Sequence, residues 1–429
     1  MFVRFLLIVV AGILCALSGR AEAVTTIERG ENGNWLLYVD ERPYFIKGVE
    51  YSPDPAMSRP DYPNQWMHED TDRNGRNDAA YDSWIDANRD NYRDACEDSI
   101  GDFQLLKDMG CNTIRIYHSE DIKVSLLRDL YKTYGIRVIM GNLFGAYTIG
   151  SGAEWCDGTD YTNSDQRKKM KEGIRAMVEQ NKDEPYLLMY MLGNENDATG
   201  SEENSTLNNT NAVAEPVAFA KCVNEVCEMI KDMDPDHPVG ICLATYRLLP
   251  ALAEHAPALD VIGLNSYAGA YGFGPLWQRV KTTYDRPVLI TEYGTDCYDL
   301  KKDVVDEDYQ ALYHRRAWED IAANSYWGEK AGNSIGGVAF CWMDKWWLIG
   351  LAKLHDTFNG ARSGPNRGGF FCDEWLGLCG QGFGTNIPLM RDPRKVYYQY
   401  RNILWRSARP FETDYFSPVI PEREEQYAP

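Results

Sequence analysis

Short apolar runs alternate along the chain with longer segments that mix charged and apolar residues. Apolar runs bounded by turn residues predict buried strands, and the mixed segments between them predict amphipathic helices. The pattern predicts eight strands, at residues 45–51, 112–117, 137–142, 186–193, 239–244, 261–265, 288–291 and 337–342.

Eight strands that alternate with helices indicate an α/β protein, and in particular a TIM (β/α)8 barrel. An N-terminal hairpin at residues 35–48 leads into strand one, and an Asp-rich insertion at residues 52–95 follows that strand. The first helix is predicted at residues 95–109. The structural alternative is an open doubly wound sheet, which usually has fewer strands and a glycine-rich phosphate turn after the first one. Here Glu50-Tyr51-Ser52-Pro53 stands in that place.

Both ends of the chain differ from this pattern. Residues 1–23 combine a basic residue, a short apolar run and the small-x-small sequence Ala21-Glu22-Ala23, which predicts a cleaved secretory signal. The apolar run is too short to span a bilayer comfortably. We therefore expect a barrel at residues 24–408, a C-terminal tail at residues 409–429, and a secreted or periplasmic location.

The composition narrows the partners that we expect. The chain has 64 acidic and 44 basic residues and a formal charge of −20, which disfavours binding to nucleic acid and to anionic membrane surfaces. Its 12 Trp and 27 Tyr suit sugar-like ligands. An exported protein can oxidise its cysteines, and Cys372 and Cys379 are the best candidates for a disulfide.

Two glutamates follow strongly apolar strands. Strand four runs into Gly193-Asn194-Glu195 and strand seven into Thr291-Glu292-Tyr293-Gly294. Catalytic groups of a TIM barrel lie at the C-terminal ends of the strands, and retaining glycoside hydrolysis needs two carboxyl groups about 5–5.5 Å apart. The paired positions therefore favour a catalytic pair over two solvent-exposed strand ends.

These two motifs resemble the strand-four and strand-seven signatures of the clan A retaining β-glycosidases, and most of all the catalytic barrels of family 2. Strands one and two, Ile46 to Tyr51 and Asn112 to Tyr117, are similar to those of the family 72 β-1,3-glucanosyltransferases. The resemblance extends over about residues 33–405. Family 2 enzymes usually carry β-sandwich domains before the barrel, and these domains help to shape the substrate sites. We expect no such domain in this chain, so the substrate specificity of family 2 is not carried over to it.

The resemblance implies roles for individual residues. Glu195 would be the acid/base with a raised pKa, and Glu292 the ionised nucleophile. Asn194 would hydrogen-bond the sugar 2-hydroxyl, and Arg115 would keep Glu292 ionised. Two further aromatic residues match family positions: Tyr267, which would hydrogen-bond the nucleophile, and Trp342, which would lie under the sugar. Other strand-end residues that could contact the sugar are Tyr51, Asn142, Tyr117, His118 and Trp346.

The insertion contains a metal-binding pattern of its own. Asp70, Asp72, Asn74 and Asp78 occupy positions 1, 3, 5 and 9 of an EF-hand-type loop, with Gly75 at position 6. Position 12 is Tyr81 instead of glutamate, and Asp82 follows it. We expect a structural Ca²⁺ here and no cofactor for catalysis.

The sequence thus predicts a retaining β-glycoside hydrolase that acts on a neutral oligo- or polysaccharide through a covalent intermediate. A transglycosylase would use the same two carboxylates, and a non-catalytic carbohydrate-binding barrel is the alternative from another class. A metal-dependent hydrolase is disfavoured because the six histidines form no HxH or HExxH motif. The expected partner is a carbohydrate, without nucleic acid and without membrane insertion once the signal is removed.

Overall fold

A computed structural model of the protein describes residues 24–56, 64–198, 208–268, 270–357, 369, 371–382 and 389–407. The predicted signal at 1–23 and the predicted tail at 409–429 lie outside the described residues, so both remain predictions.

The described strands are, in chain order, β1 (Thr25–Arg29), β2 (Trp35–Val39), β3 (Arg42–Tyr44), β4 (Ile46–Glu50), β5 (Trp84–Ile85), β6 (Thr113–Ile116), β7 (Arg137–Asn142), β8 (Leu187–Leu192), β9 (Val239–Leu243), β10 (Val261–Asn265), β11 (Val288–Tyr293), β12 (Tyr298–Asp299), β13 (Val304–Val305), β14 (Ser334–Ala339), β15 (Cys379–Gly380) and β16 (Met390–Pro393). The described α-helices are α1 (Asp102–Met109), α2 (Val124–Asp129), α3 (Ser164–Asn181), α4 (Pro216–Met233), α5 (Leu249–His255), α6 (Leu276–Thr283), α7 (Glu307–Ala323) and α8 (Lys395–Gln399).

Eight parallel strands close into a barrel in the order β4-β6-β7-β8-β9-β10-β11-β14, with β14 pairing back to β4. One helix of the series α1 to α7 connects each strand to the next, and α8 follows β14. The predicted TIM (β/α)8 barrel is therefore confirmed. Nearly all residues of these strands are buried on both faces, which explains why they appear in the sequence as continuous apolar runs.

The N-terminal segment forms a three-stranded antiparallel sheet, β1-β2-β3. A hairpin is present but shorter than predicted: β2 and β3 are joined at Asp40 and Glu41, and residues 46–48 belong to the barrel strand β4 instead. The strand β1 is additional and pairs with β2. Leu37 and Val39 of β2 pack with Ile46 and Leu289 of the barrel. The sheet therefore covers the barrel end from which the strands start, opposite the end where catalytic groups are expected.

The insertion after β4 is tied to the C-terminal part of the chain. Its short strand β5 pairs with β16, which pairs with β15. The predicted first helix begins seven residues late, at Asp102. Residues 94–97 instead form a turn in which the Glu97 side chain binds backbone N–H groups, and Gly101 has a φ of 84° that ends this loop.

The cysteines differ from the expectation of a disulfide. The ten cysteines of the described segments are all free thiols, including Cys372 and Cys379. The Cys372 thiol donates to the carbonyl of Thr357 at 2.7 Å, so the predicted pairing is wrong. Among the described residues, no helix is long and apolar enough to cross a membrane.

Candidate active site

The two predicted glutamates lie at the same end of the barrel. Glu292 belongs to β11, and Glu195 follows β8 by three residues. Between β8 and Glu195 the chain turns sharply, because Gly193 has a φ of 70° and Glu195 a φ of 55°. A Cβ on Gly193 would lie 2.3 Å from the side-chain oxygen of Asn196, so this turn requires glycine.

Glu292 is held by three donors. The Tyr117 hydroxyl donates to its Oε1 at 2.5 Å, and the Tyr267 hydroxyl donates to its Oε2 at 2.8 Å. The Arg115 guanidinium donates to Oε1 at 3.2 Å. These three bonds engage both oxygens of the Glu292 carboxylate and hold the group in one position.

Glu195 has a different environment. Burial and the nearby Glu292 carboxylate raise the pKa of Glu195 to about 7. Its Oε1 accepts one hydrogen bond from Asn265 Nδ2 at 3.0 Å, and its backbone carbonyl accepts from Asn208 Nδ2 at 3.0 Å. Burial and like charge together favour the protonated form, which is the form that a general acid needs.

A hydrogen-bond network joins the two glutamates. Asn265 donates to both Glu195 Oε1 and Asn194 Oδ1, and Asn194 Oδ1 also accepts from Arg115 Nη2 at 3.0 Å. The other terminal nitrogen of Arg115 donates to Glu292. The structure therefore brings together Glu195, Glu292, Asn194, Arg115 and Tyr267 as the sequence predicted.

Three predicted sugar contacts have structural partners instead. Tyr51 is fully buried outside the barrel, where its hydroxyl donates to Asp102 and its ring packs on Trp66. The side-chain oxygen of Asn142 accepts from the Phe144 N–H and organises the loop after β7. Trp342 has no exposed surface and packs edge-on against Tyr397. All three lie at or just beyond strand ends, where alternation no longer fixes which way a side chain points.

Of the three remaining strand-end candidates, one lies at the nucleophile and two have other partners. Tyr117 lies at the nucleophile, as described above. His118 accepts from the Leu143 N–H and pairs with Glu120, and Trp346 stacks on His355 with 4.7 Å between ring centroids. Histidine and tryptophan here have structural partners rather than a place beside the glutamates.

Two aromatic residues at the site were missed by sequence reasoning. Phe340 is partly buried and its ring lies 6.4 Å from that of Tyr267, which places an apolar surface beside Glu292. Tyr147 lies near Glu195 and Asn194: burial and the Glu195 carboxylate raise the pKa of its phenol, and a hydrogen bond with Asn194 lowers it. Phe340 directly follows β14, a position that the strand-end rule could have selected. Tyr147 lies in a loop after β7, and nothing in the sequence marked it.

A second polar cluster lies beside Phe340. Lys345 Nζ forms an ion pair with Glu50 at 2.9 Å, donates to Ser52 Oγ at 2.7 Å and lies 5.1 Å from the Phe340 ring centroid. Asp54 accepts from Trp347 Nε1 at 3.0 Å, and burial raises its pKa to about 7. The ammonium group of Lys345 is thus already neutralised by a carboxylate of the chain.

The predicted metal loop brings most of its candidate ligands together. Asp70, Asp72 and Asp78 each offer one oxygen, and these atoms lie within 4.8 Å of one another. Oδ1 of Asp70 is buried without a hydrogen-bond partner, which fits an oxygen that faces a cation. Asn74 Nδ2 donates to Asp72 and, at 3.5 Å, to Asp82. Asp82 therefore lies at the edge of the group.

A second loop of this type was missed by sequence reasoning. Its side chains occupy positions 1, 3, 5, 9 and 12 of the EF-hand spacing, with glutamate at position 12: Asp86, Asn88, Asp90, Asp94 and Glu97. Asn91, at position 6, has a φ of 66°, and its N–H donates to Asp86. Asp86 and Glu97 are 4% and 7% exposed. The signal was in the sequence, although asparagine replaces the usual glycine of the turn.

Comparisons with known proteins agree with this geometry. The sequence model of glycosyl hydrolases family 2, TIM barrel domain, matches residues 95–319. The chain is 27% identical over 288 residues to a β-glucuronidase of Streptococcus agalactiae serotype V; this covers 62% of this chain and 38% of that protein.

Solved structures share the fold. The β-D-glucuronidase of Dictyoglomus thermophilum matches with a TM-score of 0.54 at 16% identity, over 91% of this chain and 55% of that one. The family 2 β-galacturonidase of Eisenbergiella tayi matches with a TM-score of 0.54 at 17% identity, over 90% and 54%. The chain thus spans 38% to 55% of the length of these relatives. With a family match over more than half of its residues, and a closed eight-stranded barrel that carries both glutamates at one end, this chain belongs to glycosyl hydrolase family 2 through its TIM barrel domain.

Proposed function

We propose that the protein is a retaining β-glycoside hydrolase that works by double displacement, with Glu292 as nucleophile and Glu195 as acid/base. The observation that carries this proposal is the contrast between two carboxyl groups in one network. Glu292 accepts from an arginine and two phenols, whereas the pKa of Glu195 is raised to about 7. Carboxyl groups with such different surroundings suit the two roles of the reaction.

In the first step, Glu292 attacks the anomeric carbon and forms an ester bond to the sugar. The bond to the leaving oxygen breaks, and Glu195 donates its proton to that oxygen. Asn194 Oδ1 is occupied by Arg115 and Asn265, so the amide NH₂ of Asn194 is the group that binds the sugar 2-hydroxyl. Phe340 supplies the apolar surface for the sugar ring.

In the second step, Glu195 has become a carboxylate and acts as the base. It accepts a proton from water while the water oxygen bonds to the anomeric carbon and the ester bond to Glu292 breaks. The released Glu292 carboxylate returns to its three donors, and the configuration of the anomeric carbon is retained.

The substrate is a neutral oligo- or polysaccharide. This is supported by the pairing of Lys345 with Glu50 and of Arg115 with Glu292, because neither cation is left for a substrate carboxylate. The second candidate is a β-uronide, which is favoured by the names of the relatives, two β-glucuronidases and a β-galacturonidase.

A panel of aryl β-glycosides separates these candidates. The account predicts turnover of a β-glucoside or β-galactoside at least tenfold faster, in kcat/KM, than the matching β-glucuronide; the reverse order would assign a uronidase. Incubation with a β-1,3-glucan oligomer tests for the transglycosylase, since products longer than the substrate indicate transfer.

Substitution of the nucleophile tests the mechanism. Glu292→Gln should lower turnover by at least 10⁴-fold and leave sugar binding largely intact, since the amide cannot attack the anomeric carbon. Glu319→Gln, which removes an exposed carboxylate on α7 that pairs with Arg315, is the matched control and should change nothing. Sugar binding without any turnover by the unaltered protein would assign a non-catalytic binding barrel.

The insertion binds structural calcium. The support is the group formed by Asp70, Asp72 and Asp78, the buried unpartnered oxygen of Asp70, and the second loop with its complete EF-hand spacing. A ligand that binds the folded state at 100 times its Kd stabilises it by about 2.7 kcal/mol. We therefore expect Ca²⁺ to raise the melting temperature of EDTA-treated protein. Asp72→Asn and Asp90→Asn report on the two loops separately, and an unchanged melting temperature without calorimetric binding would contradict the proposal.

The location is outside the cytoplasm. The support is the signal pattern at residues 1–23, which ends in Ala21-Glu22-Ala23. N-terminal sequencing of the protein from the periplasm or medium should begin at Val24; a protein that keeps residues 1–23 in the cytosol would contradict the proposal.

A further inference from the structure

Tyr117 contacts both Arg115 and the nucleophile Glu292. It follows β6 directly, its ring is partly buried, and the guanidinium carbon of Arg115 lies 4.3 Å from the ring centroid. Its hydroxyl lies 2.5 Å from Glu292 Oε1, the shortest of the three contacts to that carboxylate. Tyr267 holds the other oxygen, Oε2, so the two phenols bind opposite oxygens of one carboxylate.

We infer that Tyr117 is a catalytic residue for the second half of the reaction, in which its hydroxyl stabilises the Glu292 carboxylate as that group leaves the sugar. This inference rests on the proposed function. It assigns to the chain a second phenolic donor that the family resemblance did not supply, since the resemblance placed only Tyr267 at the nucleophile.

The physical reason lies in the charge of Glu292. The carboxylate is negative before attack, becomes an uncharged ester in the intermediate, and regains its charge when the ester bond breaks. A hydrogen bond to a charged acceptor is roughly twice as strong as one to a neutral acceptor. The Tyr117 hydroxyl therefore lowers the barrier to departure and does not lower the barrier to attack.

The hydroxyl stays a donor throughout. Burial and the Glu292 carboxylate raise the pKa of Tyr117 well above its ordinary value, and the nearby Glu50 adds to this effect. Lys345 forms an ion pair with Glu50 and donates to Ser52, whose hydroxyl donates to Glu50. These bonds fix the position of the Glu50 carboxylate. The phenol is thus protonated whenever Glu292 needs a donor.

The test is Tyr117→Phe, assayed with the 2,4-dinitrophenyl β-glycoside that the panel identifies. With so good a leaving group the first step is fast, and loss of the hydroxyl should slow the second. A hydrogen bond to a charged group is worth enough to change a rate by about 10- to 100-fold. We expect kcat and KM to fall together by that factor, with kcat/KM changed less than about threefold.

Two further readouts separate this role from a structural one. A burst of dinitrophenolate close to one equivalent per protein should appear, and intact mass spectrometry during turnover should detect the glycosylated protein. Tyr131→Phe is the matched control: this phenol also lies against an arginine, Arg137, but at the other end of the barrel, and its loss should leave all three readouts unchanged.

The outcomes are distinguishable. A fall in kcat/KM at unchanged KM, without burst or adduct, would place Tyr117 in the first step and overturn the inference, as would kinetics identical to those of the unaltered protein. Absence of turnover by the unaltered protein would instead overturn the proposed function, and the inference with it. Equal melting temperatures of Tyr117→Phe and unaltered protein confirm that the comparison is between folded states.

Discussion

At the residue scale, two glutamates of one chemical type have opposite surroundings. Glu292 accepts from Arg115, Tyr117 and Tyr267, whereas within the described segments one side-chain donor, Asn265, bonds the carboxyl of Glu195. One site supplies both an acid and a nucleophile when two titratable groups have surroundings that favour different protonation states.

The raised pKa of Glu195 predicts the alkaline limit of activity. Glu195 must be protonated to donate to the leaving oxygen, and it loses that proton as the pH rises through about 7. For a substrate with a poor leaving group, kcat/KM should therefore fall about tenfold per pH unit above that value. A pH–rate profile measures this, and Glu195→Gln should remove the alkaline limb; a plateau extending to pH 9 in the unaltered protein would contradict the assignment.

Asn265 sets the pH at which the alkaline limb of the pH–rate profile begins. Its hydrogen bond favours the ionised form of Glu195, so Asn265→Ala should raise the pKa and move the limb to higher pH. A hydrogen bond of about 1 kcal/mol corresponds to a shift of about 0.7 pH units. Asn224→Ala, which removes a half-buried amide on α4 that bonds Glu228 and the Ala258 N–H away from the two glutamates, is the control. A shift toward lower pH would refute the role of Asn265.

Individual site residues could be predicted where a strand fixes their direction, or where a family motif includes them, as it does Glu195 and Tyr267 beyond β8 and β10. Glu292 and Arg115 lie within strands, and their inward positions follow from the alternation along β11 and β6. Trp342 and Tyr51 lie beyond β14 and β4, where turns set the direction, and both predictions were wrong. Phe340, only two residues from Trp342, lies beside Tyr267 instead.

At the element scale, two loops are joined behind the acid/base. Asn208, which precedes α4, donates to the backbone carbonyls of Asn194 and Glu195, and its own carbonyl accepts from Tyr147 N–H in the loop after β7. The position of Glu195 therefore depends on contacts between two βα loops rather than on β8 alone.

Loss of the Asn208 side chain should misplace Glu195. Asn208→Ala removes two hydrogen bonds of about 1 kcal/mol each, and small displacements of a catalytic group are costly. We expect kcat for a poor leaving group to fall about tenfold, while an activated aryl glycoside is less affected. Asn209→Ala is the neighbouring control, since that amide bonds the exposed Trp155 carbonyl. Equal effects of the two substitutions would argue against this role.

A buried ion pair joins the first helix to the C-terminal part. Arg391 of β16 donates through two nitrogens to Asp102 at the start of α1, and both side chains are 1% exposed or less. Arg391→Met leaves Asp102 buried without its cation and should lower the free energy of unfolding by about 3–5 kcal/mol. Urea denaturation measures this. Lys395→Met, which breaks an exposed pair with Asp308, should have no measurable effect; equal loss in both would contradict the assignment.

Elements with a repeating pattern could be predicted, and those without one could not. The barrel strands and most helices follow from apolar periodicity, although α1 begins later than predicted because the segment before it forms a loop. The two-residue strands β5 and β15 are too short to show any periodicity, and the pairing of β5 with β16 joins parts of the chain that are far apart in sequence.

At the scale of the whole molecule, the described residues are organised around one barrel, and a small sheet covers the end from which the barrel strands start. This class was predictable because eight apolar runs separated by helices permit few topologies. Substrate specificity was not predictable from the sequence, because it depends on contacts between loops that no local sequence pattern indicates. The pairing of Lys345 with Glu50 is an example: Glu50 ends β4 and Lys345 follows β14, and these two strands pair only because the barrel closes.

The most direct measurement is to trap the covalent intermediate on the intact protein. The 2-deoxy-2-fluoro glycosyl fluorides of glucose, galactose and glucuronic acid slow the second step of a retaining enzyme, so an ester to the nucleophile should accumulate. We predict one added sugar per protein with the analogue of the hydrolysed substrate, on the peptide that contains Glu292, and none in Glu292→Gln. Turnover of the parent glycoside without any adduct, or an adduct on a different carboxylate, would contradict the assignment of Glu292 as nucleophile.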